Sequence, residues 1–161
     1  MKNLICALFL ALCSASALAW PEGNWRYDKP VYDELRKGYE ISAYNKPITP
    51  SSDSNLSDDV LLAISLNPSI GVVISLKSFS NDFDCLSTCT VSYRFDDTEI
   101  KTLEFHKNPE IDNYISYVGT EGLAFIDKIK SKNTLIIEVF RKNEGSSQIK
   151  YQLKGFLQPT K

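Results

Sequence analysis

The stretch "VLLAISLNPSIGVVISLK", residues 60–77, contains the pattern that decides the fold class. Apolar residues occupy every second position on both sides of Asn67-Pro68-Ser69, which is a favourable turn sequence. They are Leu62, Ile64 and Leu66 before the turn and Ile70, Val72, Ile74 and Leu76 after it. A period of two places these side chains on one face of each strand. The stretch therefore predicts a β-hairpin with one buried face.

Two more hairpins follow from the same period. "TVSYRFD" (90–96) and "IKTLEFHK" (100–107) flank the turn sequence Asp96-Asp97-Thr98, and "TLIIEVFR" (134–141) and "QIKYQL" (148–153) flank a connection that contains Gly145. The buried faces are expected to carry Val91, Tyr93, Phe95, Leu103, Phe105, Leu135, Ile137, Val139, Ile149, Tyr151 and Leu153. "ISAYN" (41–45) and "YISYV" (114–118) are predicted as additional strands.

One helix is predicted late in the chain, at about residues 121–131. Thr120 is its expected N-cap, Lys128, Lys130 and Lys132 enrich its last turns, and its buried stripe is expected to be Leu123, Phe125, Ile126 and Ile129. Residues 31–37, between Pro30 and Gly38, favour a short helical turn. The predicted fold is mainly β: an antiparallel sandwich or partly rolled sheet of about 7–9 strands with one late α-helix.

The first nineteen residues have the pattern of a bacterial signal peptide. Lys2 gives a positive start, an apolar stretch follows, and Ala17-Leu18-Ala19 matches a small-x-small cleavage site. We expect residues 1–19 to be removed after Ala19, leaving residues 20–161 as one periplasmic or secreted domain without a transmembrane segment. A lipoprotein anchored at Cys13 is the alternative. Residues 46–59, rich in Pro, Ser and Asp, are predicted to be a mobile loop.

The charge of the chain disfavours nucleic acid as a partner. The net charge is −2, and removal of Lys2 with the leader makes it −3. No basic cluster stands in the sequence, and such a cluster is what binding to nucleic acid or an anionic membrane surface requires.

Cys85 and Cys89 are the cysteines that remain after the leader, within "DFDCLSTCTVSYRFDD" (82–97). A chain reversal at Ser87-Thr88 would bring them within bonding distance, and an oxidising compartment favours the bond. A redox centre usually has a C-x-x-C that opens a helix. A metal site needs about four ligands, so His106 with Asp82 or Asp84 would have to complete it. The interpretation adopted is a structural disulfide, with no metal and no cofactor.

Two groups of residues are candidates for binding a partner. Trp20, Trp25 and Tyr27, with Tyr32 nearby, form an aromatic cluster of the kind enriched in protein interfaces. Arg94, Asp96 and Asp97 could form a charged recognition spot at the end of a hairpin.

Catalysis is the less favoured interpretation. His106 could act as a general base with Glu104 or Asp96, but the sequence has no G-x-S-x-G nucleophile motif. We therefore assign no catalytic residues and expect the protein not to be an enzyme.

The second half of the chain resembles small secreted bacterial proteins, including the VasI/TagO-like envelope proteins associated with type VI secretion. The resemblance covers about residues 89–157 and rests on "CTVSYRFDD" (89–97), "FIDKIKSKNTLIIEVF" (125–140) and "YQLKGF" (151–156). Arg94 and Asp96 match the strand-end pair, and Phe125, Ile126 and Gly155 match structural positions. The resemblance implies a role in the cell envelope.

Together these features predict a non-catalytic periplasmic or secreted binding or envelope-accessory protein that acts through a protein or cell-envelope partner. The alternative is an immunity or inhibitor protein against an envelope-targeting toxin or hydrolase, with the acidic segment "PSSDSNLSDD" (50–59) facing a basic enzyme.

Overall fold

The computed structural model describes residues 24–28, 31–33, 38–48, 56–57, 59–67 and 69–156, so the predicted leader and Trp20 lie outside the described part. The elements are β1 (Trp25–Tyr27), β2 (Val31–Asp33), β3 (Gly38–Asn45), β4 (Leu56–Ser57), β5 (Val60–Asn67), β6 (Gly71–Ser78), β7 (Thr88–Phe95), β8 (Lys101–Asn108), β9 (Ile111–Val118), α1 (Glu121–Ser131), β10 (Thr134–Arg141) and β11 (Gly145–Gln152).

Nine of these strands form one antiparallel sheet in the order β1-β3-β5-β6-β9-β8-β7-β10-β11. The short β2 pairs with β3, and the two-residue β4 pairs with β11 in parallel. The three predicted hairpins are β5-β6, β7-β8 and β10-β11, and all three are confirmed. The predicted helical turn at 31–37 is wrong for its first three residues, because pairing with β3 holds Val31–Asp33 extended. Residues 34–37 lie outside the described part.

The sheet rolls until its two ends approach, but it is not closed. Pro47, just after β3, bridges to Tyr151 of β11, and the backbone N–H of Ile48 donates to the Lys150 carbonyl at 2.8 Å. The Tyr151 hydroxyl donates to the Val60 carbonyl at 2.9 Å. Residues 46–48 and 56–57 of the predicted mobile loop thus pack along β11, while the rest of that loop, apart from Asp59, lies outside the described residues. The mobility of the loop stays a prediction.

The core fills the concave side of the rolled sheet. Every second residue of the long strands points into it, as the period of two predicts. The predicted inward residues of the three hairpins are buried or half-buried except Ile70, which is exposed because it stands in the β5-β6 turn.

Helix α1 covers one end of the rolled sheet. Its buried residues are Gly122, Phe125, Ile126 and Ile129. Gly122 lets the helix approach β6, since a Cβ there would lie 2.8 Å from the Cβ of Val72. Leu123, predicted to be buried, is 64% exposed because it projects away from the sheet. The predicted cap is also wrong in detail: Thr120 has helical backbone angles and its side chain makes no capping hydrogen bond.

Candidate functional site: a groove between the helix and the sheet

An open groove of about 430 Å³ runs between α1 and the β7-β8 hairpin. We call it the helix groove. One wall of the groove is formed by α1, from residues that recur every three or four positions and so lie on one face of the helix: Glu121, Ala124, Phe125 and Lys128. The facing wall comes from the end of β7, the turn after it and the start of β8, with Tyr93, Arg94, Phe95, Thr98, Glu99, Lys101 and Thr102. The groove therefore lies where the helix crosses the open end of the sheet.

The floor of the helix groove is aromatic. The ring of Phe125 lies 5.3 Å from that of Tyr93 and 5.1 Å from that of Phe95, centroid to centroid, and both pairs meet edge to face. Tyr93 and Phe95 are themselves 5.8 Å apart in the same arrangement. Such geometry is the one aromatic quadrupoles favour. The floor thus consists of three packed rings from two elements: Phe95 and Phe125 are buried, and Tyr93 is half-buried.

The rim carries charges of both signs. Arg94, Lys101 and Lys128 are exposed cations, and Glu99 and Glu121 are exposed carboxylates. Burial, with the Glu121 carboxylate as a second cause, raises the pKa of the Tyr93 hydroxyl above its ordinary value. The hydroxyl therefore stays protonated at neutral pH and is available as a hydrogen-bond donor or acceptor. The arrangement suits binding of an amphipathic segment.

The carboxylate of Asp96 makes hydrogen bonds within the protein that hold this region together. Asp96 has a positive φ of 47°, and its Oδ1 accepts hydrogen bonds from the Thr134 N–H at 2.8 Å and the Asn133 N–H at 3.1 Å. The hydrogen bond from the Thr134 backbone is the main cause that lowers the pKa of the Asp96 carboxyl. The carboxylate thereby ties the end of β7 to the start of β10. The predicted charged spot is therefore divided: Arg94 lines the groove, Asp97 is exposed in the turn, and Asp96 is a structural residue.

Arg94 also borders a second, smaller hollow of about 150 Å³ on the outer face of the sheet. Its other lining residues come from β7, β10 and β11 and from the loop before β8, and they are Ser92, Tyr93, Ile100, Ile136, Glu138 and Gln148. Tyr93 and Arg94 thus line both concave surfaces. The sequence prediction named Arg94 but missed Glu121, Ala124 and Lys128. Their helical spacing was a usable signal, because the same stripe contains Phe125.

Two residues of the predicted aromatic cluster, Trp25 and Tyr27, have described side chains, and both pack on the core. Trp25 is 1% exposed, its indole N–H donates to the Leu153 carbonyl at 3.1 Å, and its ring lies 4.7 Å from that of Phe156. Its indole is therefore not accessible to a partner, which corrects its assignment as a binding residue. Tyr27 is half-buried, and its hydroxyl donates to the Gly155 carbonyl at 3.4 Å. Both side chains pack inside the protein because β1 lies where the sheet rolls back toward the end of β11.

The residues of the catalytic alternative are only partly brought together. Glu104 and His106 are both exposed on the outer face of β8. Asp96 lies at the opposite end of the sheet, because His106 pairs with the first residue of β7 whereas Asp96 follows its last. A pairing of His106 with Asp96 is therefore wrong.

Cys85 and Cys89 lie at disulfide-bonding distance, with their Cα atoms 5.3 Å apart. The described residues contain no group of three or more His, Cys, Asp or Glu side chains placed to hold a metal ion. Nor is any helix in this part of the chain long and apolar enough to cross a membrane.

The acidic segment 50–59 is described in part. Asp59 binds Arg141, with its two carboxylate oxygens 2.7 and 2.6 Å from Nη1. Its charge is thus engaged within the protein, while residues 50–55 and 58 lie outside the described residues.

Comparison with known proteins identifies a fold. No family model matches the chain, and no curated protein matches it in sequence. The structure is similar to that of invasion associated protein B from Bartonella henselae, with a TM-score of 0.52 and 14% identity over 83% of this chain and 87% of that one. The comparisons show no link to VasI/TagO-like proteins. The chain therefore shares the fold of a β-rich bacterial protein, and the likeness at this identity extends to the fold alone.

Proposed function

We propose that this protein is a non-catalytic binding or envelope-accessory protein of the bacterial periplasm or exterior, and that it holds a protein or cell-envelope partner in the helix groove. The observation that carries the proposal is the groove itself. It combines the half-buried Tyr93, which packs on the buried rings of Phe95 and Phe125, with a rim of exposed cations and carboxylates. Aromatic residues and arginine are the types that dominate binding energy in interfaces.

Three further features support the compartment and the role. The leader pattern ending at Ala19 directs the chain to export, and the Cys85–Cys89 pair suits an oxidising environment. The fold is shared with a bacterial protein whose name associates it with invasion. The resemblance of residues 89–157 to VasI/TagO-like proteins makes a cell-envelope component the partner to test first.

The test is a charge reversal of the groove rim. A partner is first recovered by crosslinking in cells that express the full chain, then purified and titrated with the purified protein. Because Arg94 and Lys128 stand on opposite walls, the double variant Arg94→Glu/Lys128→Glu should bind at least about tenfold more weakly. Lys77→Glu, a single charge reversal on the exposed side of β6 and away from the groove, should bind as the wild type does.

Circular dichroism and thermal melting establish that the variants are folded. Equal binding by all three proteins, or crosslinking that recovers no specific partner, contradicts the proposal. The non-catalytic part is tested separately with His106→Ala. If the phenotype of cells that express the full chain is lost with this variant, the result would favour the catalytic alternative, a hydrolase that uses His106.

A further inference from the structure

The end of the sheet opposite α1 is covered by residues 79–87. Phe83 is fully buried there, and it bridges to Arg141. Backbone hydrogen bonds hold this segment on both sides: the Asp84 N–H donates to the Phe140 carbonyl at 2.9 Å, and the Phe83 N–H donates to the Asp112 carbonyl at 3.3 Å. The segment thus fills the space between the end of β10 and the β8-β9 turn.

Lys107, whose side chain is nearly buried, also binds segment 79–87. Its side chain is 7% exposed, and its Nζ donates to the Phe83 carbonyl at 3.3 Å and to the Cys85 carbonyl at 3.4 Å. The Lys107 N–H also donates to the Ser87 carbonyl at 2.8 Å. The bond between Cys85 and Cys89 closes a five-residue loop. The disulfide restrains both ends of this loop, and the hydrogen bond from Lys107 to Ser87 restrains its middle. Restraint of this kind lowers the entropy lost when a loop binds a partner.

This restrained loop presents an apolar residue to solvent. Leu86, at the tip of the loop, is 100% exposed. Two more exposed apolar residues, Phe140 and Ile111, belong to the strands that the segment joins, since Asp84 bonds to the backbone of Phe140 and Phe83 to that of Asp112. We call Leu86, Ile111 and Phe140 the disulfide-end patch.

The surroundings of the patch are acidic. The segments that form this end, 79–87, 107–112 and 141–144 with Asp59, hold six carboxylates and three cations: Asp59, Asp82, Asp84, Glu110, Asp112 and Glu144 against Lys107, Arg141 and Lys142. The three cations pair with four of these carboxylates: Arg141 with Asp59 and Glu144, Lys107 with Asp112, and Lys142 with Asp82. Because carboxylates outnumber cations, this end has a net negative charge, and Asp84 and Glu110 present exposed carboxylates beside the apolar residues.

We propose that the disulfide-end patch is a second binding surface, in which Leu86 enters an apolar pocket with a basic rim on a protein partner. The occupant is assigned from complementarity: an exposed leucine on a rigid convex loop fits a pocket, and the surrounding carboxylates fit cations at the mouth of that pocket. The surface lies at the opposite end of the sheet from the helix groove, so it does not depend on binding there.

The experiment places a photoreactive amino acid at position 86 of the full chain, and in a matched chain at position 70. Ile70 is also an exposed apolar residue, but it stands in the β5-β6 turn at the helix end. We expect a protein crosslinked from position 86 and absent from position 70. That protein is then purified and titrated with the wild type, with Leu86→Asp and with Leu123→Asp, whose changed side chain is exposed at the helix end.

Leu86→Asp should bind at least about tenfold more weakly than the wild type, and Leu123→Asp should bind equally well. Binding should weaken with rising salt, as expected for opposite charges. The double variant Cys85→Ser/Cys89→Ser, if folded by circular dichroism, should bind several-fold more weakly because its loop is less restrained.

Equal binding by Leu86→Asp, or the same crosslinked products from positions 86 and 70, overturns the proposal. Crosslinking only to lipid or to a second copy of this chain does so as well. Arg94→Glu/Lys128→Glu should leave this binding unchanged, so failure of the groove proposal and failure of this one give different results.

Discussion

The two ends of the rolled sheet are covered in physically different ways. At the helix end, the cover is apolar: Phe125 of α1 packs on the rings of Tyr93 and Phe95. At the disulfide end, the cover includes a buried charge. The Arg141 side chain is 4% exposed and binds Asp59, Glu144, Ser80 and Ser147.

The two ends of one sheet are thus stabilised by two kinds of interaction. Aromatic packing depends on shape and on removal of apolar surface from water, so it changes little with pH or salt. A buried ion pair depends on every partner being present, since one charge left without its partner is strongly destabilising.

The largest effect is expected for Arg141→Ala. It removes a buried cation and leaves the carboxylates of Asp59 and Glu144, which are 21% and 36% exposed, without it, so we expect the free energy of unfolding to fall by about 3 to 4 kcal/mol. Lys142→Ala is the control, because that exposed lysine pairs with Asp82 at 3.2 Å and such surface pairs contribute less than about 1 kcal/mol. Urea unfolding at pH 7 measures both.

A deficit for Arg141→Ala that is no larger than the deficit for Lys142→Ala would contradict the role assigned to this buried charge.

A somewhat smaller effect, about 3 kcal/mol, is expected for Phe125→Ala, because the truncation removes a buried aromatic ring and leaves a cavity. Leu123→Ala, two positions earlier and exposed, should change the free energy of unfolding by less than about 0.5 kcal/mol. The Phe125→Ala deficit should be the same at low and high salt. A strong salt dependence would mean that the charged rim, and not the aromatic floor, holds the helix in place.

The smallest effect is expected for Asp96, which joins the helix end of β7 to β10. Asp96→Ala should lower the free energy of unfolding by about 2 kcal/mol. It leaves backbone donors unpaired, and it places alanine, which has a β-carbon but no polar side chain, at a positive φ. Asp96→Asn keeps an acceptor and a residue type that tolerates this backbone conformation, so it should cost about half as much.

The pH dependence of the Asp96 contribution has a definite sign. The folded-state pKa of Asp96 is lowered, so its carboxylate stabilises the fold at pH values above the ordinary aspartate pKa of about 3.9. This contribution is lost as the pH falls through the folded-state pKa. The difference between wild type and Asp96→Asn should therefore be present at pH 7 and decrease on acidification. A difference that grows in acid would contradict the role assigned to the hydrogen bonds from Asn133 and Thr134.

The sequence predicted local structure well where one side of a strand is buried. Alternation identified the hairpins β5-β6, β7-β8 and β10-β11, and the helix was placed at residues 121–131, where α1 lies. Leu123 was misassigned because a hydrophobic residue within a helical stripe can still project past the edge of the sheet. Trp25 was misassigned for the opposite reason: its type is common in interfaces, but the chain 128 residues later supplies the carbonyl that accepts its N–H.

The fold class, the hairpin turns and the close cysteine pair follow from the amino-acid sequence, because each depends on residues within a few positions of one another. The strand order, the rolled shape, the helix groove and the Arg141 network depend on the tertiary structure. Those features join residues far apart in the chain, as Asp59 and Arg141 are, and they arise when a twisted sheet brings its ends together and covers them. No local pattern encodes which distant side chain will complete a charge pair or form the wall of a groove.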